Sequence, residues 1–296
     1  MTGAERGFLL LTCQLGNPER KVLSVAQLRN LGQRVKQLPP FEPDRDLEEA
    51  DLVSMGYGRD MAQRILALMD EDDLLEHYLR AAHRADCVPL TRKTPSYPQR
   101  LRRLDPDAPG CLWAKGDLSL LNRPGIALVG SRALREPNRI FAREAGRQAA
   151  AQGYVLISGN AKGADQTAQE AALEAGGSVI SVVADSLAKL PQRENVLWLS
   201  ETGFDLPFSK IRALSRNRVI HALGLCTLAA QSDLGTGGTW DGSVHNLQHH
   251  WSPLGVFQDG SDAANQLCSM GAAPVGVPEL CNLAQFTVED ANLFSF

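Results

Sequence analysis

The chain has 296 residues, about twice the length of a typical domain, so we expect one large domain or two smaller ones. Hydrophobic residues make up 44% and charged residues 22%, which excludes a disordered or fibrous protein. Apolar runs fall short of the roughly 18 to 20 residues that cross a bilayer, and the N-terminal apolar stretch lacks a small-residue cleavage site. The six cysteines form no Cys-x-x-Cys pair. These features predict a cytoplasmic protein with reduced thiols.

The net charge of −4 conceals an uneven distribution. Residues 42–73 hold eleven Asp or Glu against three Arg, and residues 84–147 hold thirteen Lys or Arg against six Asp or Glu. After Arg218 the sequence contains neither Lys nor Arg. A nucleic-acid binder needs positive charge where phosphates lie, so residues 84–218 would have to supply it. The alternative is that these charged side chains lie on solvent-exposed surfaces and bind no partner.

Residues 1–83 are predicted to form a helical domain. Leu, Val, Ile and Met recur there at three- and four-residue spacings, which places them on one face of each helix, over residues 22–35, 47–69 and 73–85. Pro39-Pro40 and Pro43 separate the first helix from the second. Residues 84–124 then form a basic, Pro-rich connector.

From about residue 125, short β-rich runs alternate with helices. The runs are 126–129, 154–157, 178–183, 225–230 and 255–257, and the helices between the first three are 139–152 and 165–175. Continuous apolar strands that alternate with helices indicate a parallel sheet buried on both faces. We therefore predict an α/β, Rossmann-like, doubly wound and mostly parallel sheet over residues 125–275, followed by a short tail, 276–296.

Three loops of small residues follow predicted strands and form the candidate binding site. Ligands bind at the carboxyl ends of parallel strands, where small residues let backbone N–H groups approach a phosphate. The candidates are Gly130, Ser131, Arg132, Ser158, Gly159, Lys162, Gly163, Asp165, Thr236, Gly237, Gly238 and Thr239. The alternative is that glycine is simply common at strand–helix turns.

The segment Ser215 to Arg218 adds three candidates, Arg216, Asn217 and Arg218. Two guanidiniums that flank an amide can clamp phosphates or stack on bases. On a helix, residues 216 and 218 point in different directions, so one of them could instead anchor the fold.

Motifs for other chemistry are absent from the sequence. It contains no Gly-x-Gly-x-x-Gly fingerprint, no Walker A lysine and no Gly-x-Ser-x-Gly elbow. His245 and His249 would share a helix face, but a third ligand is missing nearby. We predict no catalytic residue, no metal and no cofactor.

Taken in order, these motifs resemble the DprA/Smf family of DNA-processing proteins. The matching elements are Tyr-Pro-x-x-Leu at 97–101, 112–116, 129–132, Ser-Gly-x-Ala-x-Gly-x-Asp at 158–165, Arg-Asn-Arg-x-Ile at 216–220, 236–239 and 271–272. The resemblance implies a single-stranded DNA-binding core. It further implies a recombination mediator that protects incoming single strands and helps load the RecA recombinase, as in natural transformation. Such proteins commonly form homodimers, and no bond is broken.

The chain departs from the family pattern at several positions. Gln169 stands where the family has His, and Gln231 stands where a Glu is expected. The Tyr-Gly that follows Gly-Ser-Arg is absent, and the tail after residue 275 is too short for a winged-helix module.

The main alternative is a phosphoribohydrolase of the LOG type, which cleaves a nucleoside monophosphate. The loop 235–239 is faintly similar to the glycine-rich motif of those enzymes, but Asp241 is the only carboxylate near the place of their Glu. A nucleotide sensor in antiviral defence is a third alternative.

Overall fold

The structure, a computed structural model, describes residues 1–37 and 47–287. The helix-separating prolines at 39, 40 and 43 and the end of the predicted tail lie outside the described residues. Every helix within the described ranges is too short or too polar to span a bilayer.

Short helices make up the N-terminal part of the described chain. They are α1 (Gly3–Thr12), α2 (Val25–Val35), α3 (Glu49–Ser54), α4 (Arg59–Met69) and α5 (Asp72–Arg84). The stretch predicted as one helix over 47–69 is two, because the chain turns at Gly56 with a φ of 86°. Helix α1 was not predicted, although Thr2 and Glu5 form the capping box that marks its start.

The strands are β1 (Val88–Thr91), β2 (Cys111–Gly116), β3 (Gly125–Val129), β4 (Val155–Ser158), β5 (Val179–Val182), β6 (Val196–Glu201), β7 (Thr227–Ala229), β8 (Leu254–Phe257) and β9 (Ala273–Val275). Within the described residues they form one sheet in the order β1-β2-β6-β5-β4-β3-β7-β8-β9. Strands β3 to β9 pair in parallel, whereas β1 and β2 add an antiparallel edge. The predicted α/β, mostly parallel, Rossmann-like sheet is confirmed.

Four strands were not predicted, namely β1, β2, β6 and β9. Pro89 lies in β1 and Pro274 lies in β9, and these strands form the two edges of the sheet. An edge strand tolerates proline because one side of its backbone needs no partner. Each of these two strands therefore contains a proline, and neither was predicted: β1 lies in the predicted connector and β9 at the end of the predicted core.

Helices cover both faces of the sheet. They are α6 (Glu136–Ala151), α7 (Ala164–Glu174), α8 (Lys210–Ser215), α9 (Asn217–Leu223), α10 (Gly237–His249) and α11 (Asp262–Ser269). Successive side chains of β3 enter opposite layers: Ile126 and Leu128 pack in the layer that contains Phe141, and Ala127 and Val129 in the other. This alternation follows from the pleat of a strand buried on both faces.

The order of the strands creates a crevice at the carboxyl edge of the sheet. From β3 the chain proceeds outwards through β4, β5 and β6, and it then returns to β7 on the other side of β3. Ligands of open α/β sheets bind where the strand order reverses in this way. The loops after β3 and β7 therefore face the expected position.

An aromatic cluster ties the N-terminal helices to the sheet. The ring of Tyr78, on α5, lies 5.2 Å from that of Trp113 on β2 and 4.7 Å from that of Phe204. The Tyr78 hydroxyl donates to Asp205 Oδ1 at 2.5 Å and accepts from the backbone N–H of Phe204 at 3.2 Å. These contacts fix the path of the chain just after β6.

Helix α9 holds a buried histidine that makes stability depend on pH. Burial lowers the pKa of His221 to about 3, whereas an imidazole in the unfolded chain titrates near 6.5. Between these values the unfolded chain binds the extra proton, so stability falls as pH drops below about 6.5. Between pH 7.5 and pH 5.0, we expect the free energy of unfolding measured by urea denaturation to fall by about 2 kcal/mol more in the wild type than in His221→Gln. Equal losses in the two proteins would contradict this role for His221.

Candidate functional site

Two clefts adjoin at the carboxyl edge of the sheet. The first has a volume of about 400 Å³ and the second about 370 Å³, and both are lined by Arg132, Ala161, Phe208 and Arg216. The candidate residues that line one or both are Gly130, Ser131, Arg132, Gly159, Lys162, Asp165, Arg216, Asn217, Thr236, Gly237, Gly238 and Thr239. Three loops that are far apart in sequence thus meet at one site.

The loops after β3 and β4 are packed directly against each other. Gly163 has a φ of 83°, and a Cβ atom there would lie 2.5 Å from the carbonyl oxygen of Ser131. The backbone N–H of Ala164 donates to that same oxygen at 3.2 Å. Glycine is therefore required at 163 for both its conformation and its lack of a side chain. The exposed side chains of Arg132 and Lys162 consequently line the same cleft.

Arg216 lies buried where the two clefts meet. Only 7% of its surface is exposed, and the guanidinium lies over Gly159, where a Cβ atom would overlap it. Its Nη2 is 3.8 Å from Oδ2 of Asp165, which is an ion-pair distance but too long for a hydrogen bond. Among the described residues, Nε and Nη1 of Arg216 are without a hydrogen-bond partner. Buried donors without a partner are unfavourable, so a ligand that accepts hydrogen bonds from Nε and Nη1 would be stabilised here.

The buried charges of Arg216 and Asp165 shift each other's pKa. Burial lowers the pKa of Arg216, and although the Asp165 carboxylate opposes this shift, the positive charge of Arg132 adds to it. Burial likewise raises the pKa of Asp165, against the effect of Arg216. The Asp165 carboxylate also accepts the backbone N–H of Ala161 at 3.1 Å, which holds the loop that precedes α7.

The loop after β7 presents the start of α10 to the first cleft. Thr236 is the N-cap and Gly237 the first helical residue, and the Thr236 side chain makes no capping hydrogen bond within the described part of the chain. The first N–H groups of a helix carry partial positive charge and bind anions. Asn217 fixes the position of this end because its Nδ2 donates to the carbonyl of Gly238 at 2.9 Å.

The two neighbouring arginines have different surroundings. Arg218 pairs with Glu201 of β6 at 2.6 Å and donates through Nε to the carbonyl of Asp107 at 2.9 Å. It does not line either cleft, nor do Ser158 and Gly163. Arg218 thus anchors α9 to the sheet while Arg216 faces the clefts.

One wall of the site was not predicted from the sequence. Phe208, Lys210, Ala213 and Leu214 line the first cleft, and Phe208 also lines the second. They follow β6, a strand that was not predicted, and no local pattern marks them as site residues. The clefts also contain the carboxylates of Asp165, Asp185 and Asp233, beside the cations of Arg132, Lys162, Lys210 and Arg216.

The residues that depart from the family pattern have defined contacts. Gln231 accepts the backbone N–H of Arg135 at 2.9 Å and donates to the carbonyl of Ala133 at 2.9 Å. A carboxylate could not make the second bond. Gln169 is buried and donates to Ser181 Oγ at 3.2 Å.

The residues considered for other chemistry lie elsewhere. Asp241 is exposed on α10 and does not line either cleft. The rings of His245 and His249 are 6.4 Å apart, and His249 stacks on Trp251 at 5.4 Å. Within residues 1–37 and 47–287, no three His, Cys, Asp or Glu side chains are grouped as metal ligands would be.

Comparison with known proteins gives a consistent family match. The profile of the family described as DNA recombination-mediator protein A matches residues 89–284. The DNA processing protein DprA of Streptococcus pneumoniae is 31% identical over 179 residues, or 56% of this chain and 63% of that protein. Protein Smf of Escherichia coli is 28% identical over 187 residues, or 58% and 50%. The chain therefore spans between half and two-thirds of the length of these relatives.

Two solved structures are similar as well. DprA of Streptococcus pneumoniae gives a TM-score of 0.75 over 98% of this chain and 100% of that chain, and at 23% identity this likeness shows the fold alone. DNA processing protein A from Helicobacter pylori, whose structure concerns a unique single-stranded DNA binding mode, gives a TM-score of 0.57 at 28% identity. That match covers 67% of this chain and 94% of the other.

The anchoring role of Arg218 predicts a large effect on stability. Arg218→Met leaves the Glu201 carboxylate buried without its partner, so we expect the free energy of unfolding to fall by about 3 kcal/mol in urea denaturation. Adding Glu201→Gln removes the stranded charge and should restore part of the loss. A wild-type midpoint for Arg218→Met would show that the pair does not hold α9.

Proposed function

Because the chain belongs to the DNA recombination-mediator protein A family, we propose that it binds single-stranded DNA in the two adjoining clefts. In this proposal it protects the strand and helps load the recombinase RecA, as in natural transformation. The observation that carries the DNA-binding proposal is the buried guanidinium of Arg216, which lies where the clefts meet and whose Nε and Nη1 lack hydrogen-bond partners among the described residues.

The surroundings of Arg216 suit a phosphodiester. A phosphate oxygen within reach of the guanidinium would satisfy buried donors that the protein leaves unpaired. Exposed Arg132, Lys162 and Lys210 provide further positive charge along the clefts, and the start of α10 provides backbone N–H groups. Four cationic and three carboxylate side chains line the clefts, so their charges nearly cancel in sum. The attraction for a phosphate therefore depends on how close the phosphate lies to each cation.

Two joined clefts also fit a strand that passes through the site. Each cleft is of the size that holds a small ligand, and Arg216 lies on the lining that they share. A phosphate at Arg216 would then have a nucleotide on either side. A single strand can follow this path, whereas a duplex holds its bases inside the helix. We therefore propose a preference for single strands with little dependence on sequence.

The wider parts of the proposal rest on the family resemblance. They are the contact with RecA, a homodimer that extends the DNA path, and a cytoplasmic location. We also propose that no covalent step occurs and that the protein is a binding protein.

The phosphoribohydrolase alternative leads to a separate prediction. Asp241 is exposed and does not line either cleft, so we expect purified protein to release no base from nucleoside monophosphates. Chromatography of the reaction mixture measures this release directly. Accumulation of free base that Asp241→Asn abolishes would favour the hydrolase.

The DNA-binding proposal predicts the effects of removing cleft cations. Arg132→Ala and Lys162→Ala should each weaken the binding of a single-stranded oligonucleotide. Each should also make the fall of the logarithm of the association constant with the logarithm of salt concentration less steep by about one unit, because one phosphate contact is lost. Because both side chains are exposed, their loss should change the free energy of unfolding by less than about 0.5 kcal/mol. Fluorescence anisotropy over a salt series measures both effects.

The matched controls change the same charges outside the clefts. Arg143→Ala removes an exposed arginine of α6, and Lys21→Ala removes an exposed lysine that precedes α2. Both should bind DNA like the wild type. If Arg132→Ala and Lys162→Ala also bind like the wild type at every salt concentration, the clefts are not the DNA site.

A further inference from the structure

A buried carboxylate lies beside the guanidinium of Arg216. Asp165, in the first turn of α7, lines the first cleft, and only 8% of its side chain is exposed. Its Oδ2 is 3.8 Å from Nη2 of Arg216, whereas Nε and Nη1 of Arg216 are without a hydrogen-bond partner among the described residues. A phosphate that accepts hydrogen bonds from Nε and Nη1 would therefore share one guanidinium with the Asp165 carboxylate.

The elements packed against α7 add no further counterion for Asp165. Strands β3, β4 and β5 contain no charged residue. The charged side chains along α6 and at the far end of α7 are neutralised in ion pairs, and these pairs are Arg135–Asp259, Glu136–Arg139, Arg143–Glu174 and Glu144–Arg147.

Burial makes the ionised form of Asp165 unfavourable. It raises the pKa of this carboxyl, although Arg216 and the backbone N–H groups of Ala161 and Gly159 act in the opposite direction. A phosphate on the same guanidinium adds a negative charge close to the carboxylate, and two anions that share one site favour protonation of one of them. Water screens the other charged side chains of the clefts because they are exposed, and these are Arg132, Lys162, Asp185, Lys210 and Asp233.

We propose that Asp165 takes up a proton when a phosphate of single-stranded DNA binds at Arg216. This inference rests on the DNA-binding function proposed above and makes that function depend on pH. The proton comes from the solvent and forms an O–H bond on the carboxyl group, which becomes neutral, while the phosphate becomes the counterion of the guanidinium. The neutral carboxyl keeps an oxygen that accepts the backbone N–H of Ala161, so the loop before α7 stays in place.

The affinity for DNA should rise as pH falls. At high pH the Asp165 carboxyl is ionised in the free protein and in the complex, so the affinity does not change with pH. Between the pKa of Asp165 in the free protein and its higher pKa in the complex, the complex binds more protons than the free protein. The association constant therefore rises as pH falls through this range, by at most about tenfold for each pH unit.

The experiment is isothermal titration calorimetry with a thymidine strand of about 20 nucleotides, between about pH 5 and pH 7.5. Neither the phosphodiesters nor the bases of this strand titrate in that range. Each titration is performed in two buffers with different enthalpies of ionisation, because the difference in heat gives the number of protons taken up. The wild type should take up as much as about one proton and bind more weakly as pH rises. Asp165→Asn should take up none, and its affinity should not change with pH.

Asp185→Asn is the matched control. Asp185 lines the second cleft but is exposed, so this change should leave the proton uptake of the wild type unaltered. If Asp165→Asn does not fold, as judged by circular dichroism, Asp165→Ser takes its place. Serine carries no charge in this pH range, and its hydroxyl can cap the start of α7, so this variant should also take up no proton.

The remaining results overturn the proposal in distinguishable ways. Tight binding by the wild type with equal heats in the two buffers at every pH would remove the proton uptake but leave DNA binding intact. Uptake that persists in folded Asp165→Asn or Asp165→Ser would assign the proton to another group. No binding of the thymidine strand at low salt would refute the proposed function as well.

Discussion

The unsatisfied guanidinium of Arg216 is the constraint on which the site depends. Burial of this charge requires a glycine beneath it at 159 and a carboxylate nearby at Asp165. Among the described residues, Nε and Nη1 of Arg216 have no hydrogen-bond partner, so another residue has to hold α9 to the sheet. Arg218 provides that anchor through Glu201. One arginine thus fixes the helix, while the other keeps the Nε and Nη1 donors of its guanidinium without a hydrogen-bond partner among the described residues.

The scaffold brings distant parts of the chain to this guanidinium. The parallel sheet places the loops after β3, β4 and β7 at one edge, and Gly163 allows the first two loops to touch. The segment after β6 forms another wall of the first cleft. That segment is held by the cluster of Tyr78 with Phe204 and Asp205 and by the hydrogen bonds of Arg212, which lies on α8. The N-terminal helices therefore support the wall of the site that the segment after β6 forms, although none of their own side chains lines the clefts.

Two departures from the family pattern have the same physical explanation. At 231 the side chain must both accept a backbone N–H and donate to a backbone carbonyl, and an amide does both whereas an ionised carboxylate only accepts. At 169 a neutral amide lies buried against Ser181, where a charged group would be unfavourable. Both glutamines therefore make these hydrogen bonds as neutral side chains.

The sequence by itself determined the α/β core, because apolar runs of strand length alternating with helical segments are a local pattern that only a sheet buried on both faces satisfies. Most of the candidate residues that it identified line the clefts, since loops that follow parallel strands must lie at one edge. Only the tertiary structure decided which of Arg216 and Arg218 faces the clefts, because both stand at the start of one short helix and their partners, Asp165 and Glu201, lie on other elements. The edge strands with Pro89 and Pro274, and the exposure of Phe208 and Leu214, likewise depend on pairing and packing between segments distant in the chain, which no local periodicity encodes.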